Sequence, residues 1–339
     1  MKRNLVKLSW LLLILSAIGI AVFFSLPDHR SDTVVVWSTK LEVKDIVIFD
    51  DGETLNIVYA NQNQLTFHSL FTGKSLNINL SDKCKQLVKI NAKEIALYTY
   101  DGKLAIFSVP EFSVPEFSCI GEYKLNQGEK TIYSVFQTND KKYCAYFHDC
   151  VVVCDGTGAT EPISILLPFR TCKAYFADSG KIHVFDQYMN EYEYSEGNFT
   201  VIHKAIYSFG VDPEQFATYS MNRQHIFFSR RHIVSNFGYF SIESRSLKYL
   251  AMPIEEPFYT QYCGVDSHGD IYFICSTRSQ QIFVAKYNKN LSLIYTHFTG
   301  LGIRFNPIEI SSGYLYFIQN VASNGGTELC KYPIPTRKK

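Results

Sequence analysis

The sequence has almost no excess charge of either sign. Its 339 residues include 33 Lys and Arg against 32 Asp and Glu, so the formal net charge is +1. Proteins that bind nucleic acid through its phosphates normally carry a broad basic surface, and this balance argues against such a partner. Glycine (19) and proline (11) are too few for a collagen-like or linker-rich chain, and a hydrophobic content of 46% excludes a disordered one.

The common motifs of enzymatic and metal chemistry are also absent from the sequence. There is no Gly-x-Ser-x-Gly elbow, no His-Glu-x-x-His helix and no glycine-rich phosphate loop. The nine cysteines are odd in number and irregularly spaced, without a Cys-x-x-Cys pair, and we interpret most of them as buried thiols. We therefore expect no cofactor and no metal, and a non-catalytic protein is favoured over an enzyme.

The amino terminus has the features of a membrane anchor. Basic residues within 1–7 precede an uncharged, apolar run over 8–26, which is close to the ~20 residues that a helix needs to cross a bilayer. We predict a cytoplasmic flank at 1–7, a transmembrane signal anchor at 8–26 and export of the rest of the chain. A cleaved signal peptide is one alternative, but the small-x-small tripeptide Ala17-Ile18-Gly19 falls in the middle of the apolar run. A buried core helix is the other alternative.

The remainder of the chain is a repeat of short β-strands. Over 45–80, four apolar segments alternate with turn clusters such as Asp50-Asp51-Gly52 and Thr72-Gly73-Lys74, which is typical of consecutive hairpins. Each repeat contains a second strand that can be aligned with the others, beginning near Leu55, Ile95, Tyr143, Ile182, Ile226, Ile271 and Leu315. The mean spacing is about 43 residues, as expected for four-stranded propeller blades.

These turns resemble those of the β-propeller superfamily over nearly all of residues 33–334. The segments 72–74 and 155–158 are similar to turns of quinoprotein and YVTN-type propellers, and 265–272 resembles an NHL-type turn. The WD40 dipeptide is missing, since the two tryptophans are Trp10 and Trp37. The resemblance implies an all-β domain over 33–334. We predict seven blades, with six as the alternative, and a ring closed by an N-terminal strand at 33–38 that completes the last blade.

Two local features have several possible interpretations. The repeated pentapeptide at 108–112 and 113–117 predicts a surface loop between strands of the second blade, and a peptide-binding or ligand-binding loop is the alternative. The cysteines at 144, 150 and 154 belong to a predicted hairpin. A three-residue loop places Cys144 opposite Cys154 and permits a disulfide, whereas a two-residue loop places them on opposite faces. Core packing, a disulfide and a metal site all remain open from the sequence.

The connectors between blades are the predicted binding surface. They are rich in aromatic residues and arginine, which dominate protein interfaces. The candidate binding residues are Phe169, Arg170, Tyr207, Phe209, Phe258, Tyr259, Arg304 and Phe305. The alternative is that these rings fill the junctions between blades.

The sequence thus predicts a membrane-anchored propeller on the exported side of a membrane. Its expected role is to bind a protein or peptide partner at the membrane surface without catalysis. A propeller enzyme (a hydrolase, a lyase or a quinoprotein-like oxidoreductase) with a site in the central channel is one alternative, because sequence spacing does not reveal a site assembled from several blades. A carbohydrate-binding module is the other, since aromatic rings also stack on sugars.

Overall fold

The computed structural model describes most of the chain between Thr33 and Pro335. The described residues are 33–41, 43, 45–50, 53–109, 118–125, 127, 130–138, 140–167, 172–178, 181–186, 188–195, 198–204, 216–221, 225–230, 237–250, 254, 258–266, 268–299, 301, 305–321 and 326–335.

The described residues form seven four-stranded antiparallel sheets, in agreement with the predicted seven blades rather than six. The first three blades comprise β2 (Asp45–Asp50), β3 (Leu55–Asn61), β4 (Gln64–Ser69) and β5 (Ser75–Asn79); β6 (Cys84–Lys89), β7 (Glu94–Thr99), β8 (Lys103–Ser108) and β9 (Ser118–Lys124); and β10 (Ser134–Gln137), β11 (Tyr143–Tyr146), β12 (Cys150–Cys154) and β13 (Ile163–Leu166).

The next three blades follow the same order along the chain. They comprise β14 (Cys172–Asp178), β15 (Lys181–Asp186), β16 (Glu191–Ser195) and β17 (Asn198–His203); β18 (Phe216–Met221), β19 (His225–Arg230), β20 (Phe237–Ser241) and β21 (Ser246–Leu250); and β22 (Phe258–Val265), β23 (Ile271–Thr277), β24 (Ile282–Tyr287) and β25 (Leu293–Phe298). All predicted second-strand positions lie in the second strand of a blade, so the repeat inferred from the sequence is confirmed.

The seventh blade closes the ring with a strand from the beginning of the chain. It contains β26 (Phe305–Ser311), β27 (Tyr314–Val321) and β28 (Gly326–Pro333), and β1 (Val34–Thr39) pairs antiparallel with β28 as its outermost strand. The predicted closure is therefore confirmed. On β1, the Trp37 ring lies 4.7 Å from the ring of Tyr59 in the first blade, so this strand also contacts the next blade.

The core lies between neighbouring blades rather than at a single centre. The second strands are buried on both faces, and in β23 every residue from Ile271 to Thr277 is buried. A strand covered on both faces is expected to be continuously apolar instead of alternating, which explains segments such as Ile271-Tyr272-Phe273-Ile274. One buried cluster joins Tyr98 and Ile106 of the second blade to Tyr143 and Val152 of the third.

One hairpin turn recurs in the second, third, fourth and sixth blades. Its first residue accepts a backbone hydrogen bond from the residue three positions later, which has a φ between 61° and 84°. The first residues of these turns are Thr99, Thr138, Asp186, Asp266, Thr277 and Asn288. Their side-chain oxygens also accept backbone N–H groups within the turn, as when Asp186 accepts from Tyr188 at 2.8 Å and from Asn190 at 2.9 Å. These bonds fix the position of the residues at each turn tip.

Two sequence predictions concern segments that are described only in part. The repeated pentapeptide falls between β8 and β9, as predicted, but residues 110–117 lie outside the described residues. The predicted membrane anchor at 8–26 lies outside them as well. Within the described part of the chain, no helix has the length and hydrophobicity needed to span a bilayer.

The contact between β1 and the first blade gives a first prediction. Replacing the half-buried Trp37 by alanine removes its contact with Tyr59 and lowers the free energy of unfolding by about 2 kcal/mol. Urea denaturation followed by circular dichroism measures the change. Val34→Ala on the same strand, where the side chain is exposed, is the control and changes the stability by less than about 0.5 kcal/mol. Equal stability of the Trp37→Ala variant and the unmodified protein would contradict the proposed role of this contact.

Candidate functional site

The strand order assigns the loops of each blade to two faces. Because neighbouring strands are antiparallel, the turns between second and third strands emerge on the same side as the connectors between blades. We call this side the connector face. The turns between first and second strands, and between third and fourth strands, emerge on the other side, which we call the opposite face.

Exposed aromatic rings are concentrated on the connector face. Five such rings among the described residues are 47–64% exposed and lie in its turns or at the strand ends that border it: Tyr100, Tyr133, Tyr188, Tyr259 and Phe298. On the opposite face, the exposed aromatic residue of the described chain is Phe71. Large, half-exposed rings bury much area with little entropy loss when a partner binds. The described part of the connector face therefore has the composition of a binding surface.

The predicted site residues are only partly described. Five of them lie outside the described residues: Phe169, Arg170, Tyr207, Phe209 and Arg304. Phe305 is the first residue of β26, and only its backbone is described.

The neighbours Phe258 and Tyr259 at the start of β22 have opposite orientations. Phe258 is 5% exposed, and its ring packs edge-on against Phe283 with the ring centroids 5.2 Å apart. Tyr259 is exposed. Phe258 thus contributes to the core of the sixth blade, as in the alternative interpretation of the connector aromatics, whereas Tyr259 is accessible to a partner.

Sequence reasoning missed Tyr100, Tyr133, Tyr188 and Phe298. Tyr100 and Tyr188 lie inside recurrent turns, in the segments Thr99-Tyr100-Asp101 and Asp186-Gln187-Tyr188. Turn tips normally carry small or polar residues, so an aromatic residue inside a polar turn was the signal that could have identified both.

The connector face contains a cavity at the junction of the first and second blades. Its volume is about 340 Å³, and the described residues that line it are Gln62, Lys83, Cys84 and Tyr100. The backbone N–H of Cys84 donates to the carbonyl of Gln62 at 2.9 Å, and that of Tyr100 donates to the carbonyl of Lys83 at 3.1 Å. The walls of the cavity are therefore held together by main-chain bonds between the two blades.

Positive charge and a neutral thiol border this cavity. The Nζ atom of Lys85 lies 5.6 Å from the ring centroid of Tyr98 and 5.8 Å from that of Tyr100, and it donates to the carbonyl of Lys130 at 2.8 Å. Burial, with a further contribution from the charge of Asp45, raises the pKa of the Cys84 thiol to about 12. Cys84 is therefore protonated at neutral pH, and a thiolate nucleophile is not available here.

The inner strands carry an ion pair that links three blades. Lys89 at the end of β6 lies 2.8 Å from Glu309 in the seventh blade, and it also donates to the carbonyl of Ile48 in the first blade at 2.8 Å. The two charges neutralise each other. Among the described residues, no group of three or more His, Cys, Asp or Glu side chains is placed to hold a metal ion.

The cysteine hairpin has the two-residue loop. Tyr143 pairs with Cys154 and Cys144 pairs with Val153, while the backbone N–H of Phe147 donates to the carbonyl of Cys150 at 2.9 Å. Cys144 contributes to one buried cluster and Cys150 and Cys154 to another. This register places Cys144 and Cys154 on different faces, so these thiols act as core residues of the third blade.

A buried ionic cluster joins the fourth and fifth blades. Glu191 is 3% exposed; its carboxylate lies 3.0 Å from Nδ1 of His183 and accepts a hydrogen bond from Arg245 of the fifth blade. Burial opposes ionisation of Glu191, but the hydrogen bonds from His183 and Arg245 outweigh it, so the pKa of this carboxyl lies below its usual value. The cluster therefore connects the two blades, and removing one of its members would leave buried charge without its partner.

The comparisons with known proteins identify the fold. No protein-family model matches the chain, and no curated protein matches it significantly. Three similar solved structures are the WD40 repeats of RRP9, an inactive virginiamycin B lyase from Staphylococcus aureus with quinupristin, and BBS1N in complex with ARL6.

All three structures have a low sequence identity to this chain, but the alignments cover nearly their whole length. The RRP9 structure is 11% identical with a TM-score of 0.57, and the alignment covers 90% of this chain and 98% of that one. The lyase structure is 12% identical with a TM-score of 0.56, and the alignment covers 89% of this chain and 98% of that one. The BBS1N structure is 11% identical with a TM-score of 0.53, and the alignment covers 91% of this chain and 100% of that one. Together with the seven sheets, these similarities define the class: the chain is a seven-bladed β-propeller, similar to WD40 and streptogramin lyase propellers in fold.

The buried cluster gives a second prediction. A carboxyl with a lowered pKa in the folded state contributes stability above its usual pKa near 4.5, and this contribution is lost as the pH falls through the lower, folded-state value. Glu191→Gln therefore lowers the free energy of unfolding by about 2 kcal/mol at neutral pH, and the difference from the unmodified protein shrinks as the pH falls below about 4.

Urea midpoints measured across this pH range test the effect. Glu243→Gln, which alters an exposed carboxylate in the fifth blade, is the matched control and leaves the midpoint nearly unchanged. A Glu191→Gln deficit that does not depend on pH would contradict the assignment of a lowered pKa.

Proposed function

We propose that this protein is a membrane-anchored propeller that binds a protein or peptide partner through its connector face, without catalysis. The observation that carries the proposal is the unequal distribution of exposed aromatic rings between the two faces. Tyr100, Tyr133, Tyr188, Tyr259 and Phe298 border the connector face, against Phe71 on the opposite face of the described chain. The rings that lie in turns are held by main-chain bonds, which reduces the entropy lost on binding.

The position of β1 supports the proposal that the connector face points away from the membrane. As the fourth strand of the last blade, β1 begins at Val34 on the opposite face and ends at Thr39 on the connector face. An anchor at 8–26 would be joined to Val34 by 27–33, a linker that reaches at most about 25 Å. The opposite face would then lie near the bilayer, and the connector face would point into the exported compartment.

The fold is compatible with this function and with an alternative. BBS1N, one of the structural neighbours, was solved in complex with a protein, ARL6. The lyase shows that the same fold also supports an enzyme, so a channel-centred enzyme is the second candidate. On the described inner strands, Lys89 and Glu309 are paired with each other, and Asp45 accepts the backbone N–H of Leu87 at 2.8 Å. These charged groups are engaged within the protein, which favours binding over catalysis.

The membrane anchor can be tested by deletion. We expect the full-length protein to stay in the membrane pellet after alkaline carbonate extraction, because an apolar helix of ~20 residues is not released by high pH. Removing residues 1–32 transfers the protein to the soluble fraction with the propeller still folded by circular dichroism. A shortened protein that remains in the carbonate-resistant pellet would contradict the anchor at 8–26.

The binding surface can be tested by comparing the two faces. The full-length protein is purified from its native membranes in mild detergent, and co-purifying proteins are quantified by mass spectrometry. Tyr133→Ala/Tyr188→Ala on the connector face lowers the recovery of stoichiometric partners at least tenfold, since two interface tyrosines contribute about 1–2 kcal/mol each.

Phe71→Ala/Ile163→Ala is the matched control, because it removes two exposed apolar side chains from the opposite face. It retains the partners. Loss of the partners from this control variant would overturn the proposal. Purification of the unmodified protein without any stoichiometric partner would also overturn it, and would favour a small-molecule or glycan ligand.

A further inference from the structure

The opposite face carries an apolar patch where β1 begins. Among the described residues, four large apolar side chains exposed on this face are Val34, Val35, Phe71 and Ile163. Single exposed apolar residues are common on soluble proteins, whereas a group of them marks a contact surface. Ile163 belongs to the third blade, but Val34, Val35 and Phe71 lie at the junction of the seventh and first blades. We call these three residues the junction patch.

The packing beneath the junction patch brings its two parts together. Leu70, the residue before Phe71, belongs to the same apolar cluster as Val36 and Trp37 of β1. The Trp37 ring also lies 6.5 Å from the ring of His68 in β4. The strand β1 and the turn between β4 and β5 therefore pack on one another, and their exposed side chains border one region of the opposite face.

The turn that carries Phe71 is held in place by main-chain bonds. The backbone N–H of Gly73 donates to the carbonyl of Ser69 at 2.8 Å, and that of Ser69 donates to the carbonyl of Lys74 at 3.0 Å. The backbone N–H of Leu70 donates to the carbonyl of Leu55 at 3.0 Å, which joins this turn to β3. Phe71 is 75% exposed on this fixed turn, so its contact with another surface requires little ordering of the backbone.

The length of the chain before β1 indicates which surface the junction patch meets. Val34 is a member of the patch and the first residue of β1, and the segment 27–33 separates it from the predicted anchor at 8–26. This segment spans at most about 25 Å. The short linker therefore keeps the patch close to the bilayer at a high effective concentration, so that even a weak contact with lipid is formed.

The charges beside the junction patch do not select a charged lipid. Lys74 and Lys331 are basic, and Lys331 lies opposite Val34 on β28. Asp50 at the end of β2 and Glu53 in the turn that follows it are acidic. Because charges of both signs border the patch, apolar contact is the main interaction that it offers to a membrane.

We propose that the junction patch inserts into the interface of the membrane that holds the anchor, with the Phe71 ring at the boundary of the acyl chains. Apolar side chains on membrane-binding surfaces enter this boundary to a depth of about 5–10 Å. The contact gives the disc a second attachment besides the linker, so it limits tilting of the disc and keeps the connector face directed into the exported compartment. This inference rests on the proposed anchor at 8–26 and assigns a lipid surface to the opposite face.

Photo-crosslinking to lipid tests the contact on the full-length protein. The protein is placed in phosphatidylcholine nanodiscs that contain some phosphatidylcholine with a diazirine in its acyl chain, and lipid adducts are mapped by mass spectrometry after illumination. We expect adducts at 33–35 and 70–74 to exceed those at 186–190 on the connector face about tenfold, because the junction patch reaches the acyl chains. Replacing part of the phosphatidylcholine by phosphatidylglycerol changes the yield less than about twofold.

A lengthened linker separates insertion from proximity. About 20 Gly and Ser residues added within 27–32 let the disc move about 30 Å from the bilayer, yet the adducts at 70–74 persist if the patch inserts. In this lengthened protein, Phe71→Ser lowers the adducts at 33–35 at least about fivefold, because an inserted phenylalanine side chain contributes that factor or more. Tyr249→Ser, which alters an exposed ring on the outer strand β21, is the control and leaves them unchanged.

Several results would overturn the proposal. Adducts at 70–74 that do not exceed those at 186–190, their loss in the lengthened protein, or unchanged adducts at 33–35 after Phe71→Ser would each contradict insertion. Chemical cross-links from Lys74 to a second copy of the chain, in place of lipid adducts, would also overturn it and would assign the junction patch to self-association.

The result is separable from the proposed function. If lipid adducts are absent from 70–74, while the full-length protein resists carbonate extraction and partner recovery depends on Tyr133 and Tyr188, the assignment of the junction patch is wrong and the proposed function stands. If the adducts form as expected but the unmodified protein has no partner, the junction patch is confirmed and the proposed binding role is wrong.

Discussion

The pairing of β1 with β28 is the interaction on which the rest of the structure depends. Each blade is a separate four-stranded sheet, so the first and last blades are joined into a ring only if a strand from one end of the chain pairs with the blade at the other end. Here one strand from the beginning of the chain completes the last blade, and Trp37 extends the contact to Tyr59 of the first blade. The same pairing places Val34, the first residue of β1, on the opposite face. Closure of the ring and the face on which β1 begins are therefore consequences of one pairing.

Within the closed ring, the recurrent turns hold the exposed residues at their tips in fixed positions. Each turn is fixed by the side chain of its first residue, such as Thr99 or Asp186, and by one residue with positive φ. Because these turns do not depend on the identity of the residue at the tip, a large ring at that position costs little stability. Tyr100 and Tyr188 occupy such positions. The connector face can thus vary its exposed residues while the blades below remain the same.

The architecture could be predicted from the sequence to a greater extent than the site. Seven second strands, the turn at 266–270 and the closing strand followed from the spacing of apolar segments, since burial between blades imposes that spacing. The orientation of individual rings did not follow. Phe258 and Tyr259 are equivalent in composition, but consecutive strand residues point to opposite sides, so one packs on Phe283 and the other is exposed. The cavity at the junction of the first and second blades was also not predictable, because its lining residues come from two blades and a connector and meet only when the blades are in register.

The central claim is that a partner contacts the connector face, and a hydrogen-exchange footprint tests it most directly. Amide exchange is compared by mass spectrometry between the propeller alone and the purified complex with its partner. The account predicts slower exchange in the complex at 62–64, 83–85, 100–103, 130–133 and 186–190, which all border the connector face. Protection confined to the turns of the opposite face, such as 70–74, 155–160 and 288–292, or an unchanged exchange pattern, would contradict it.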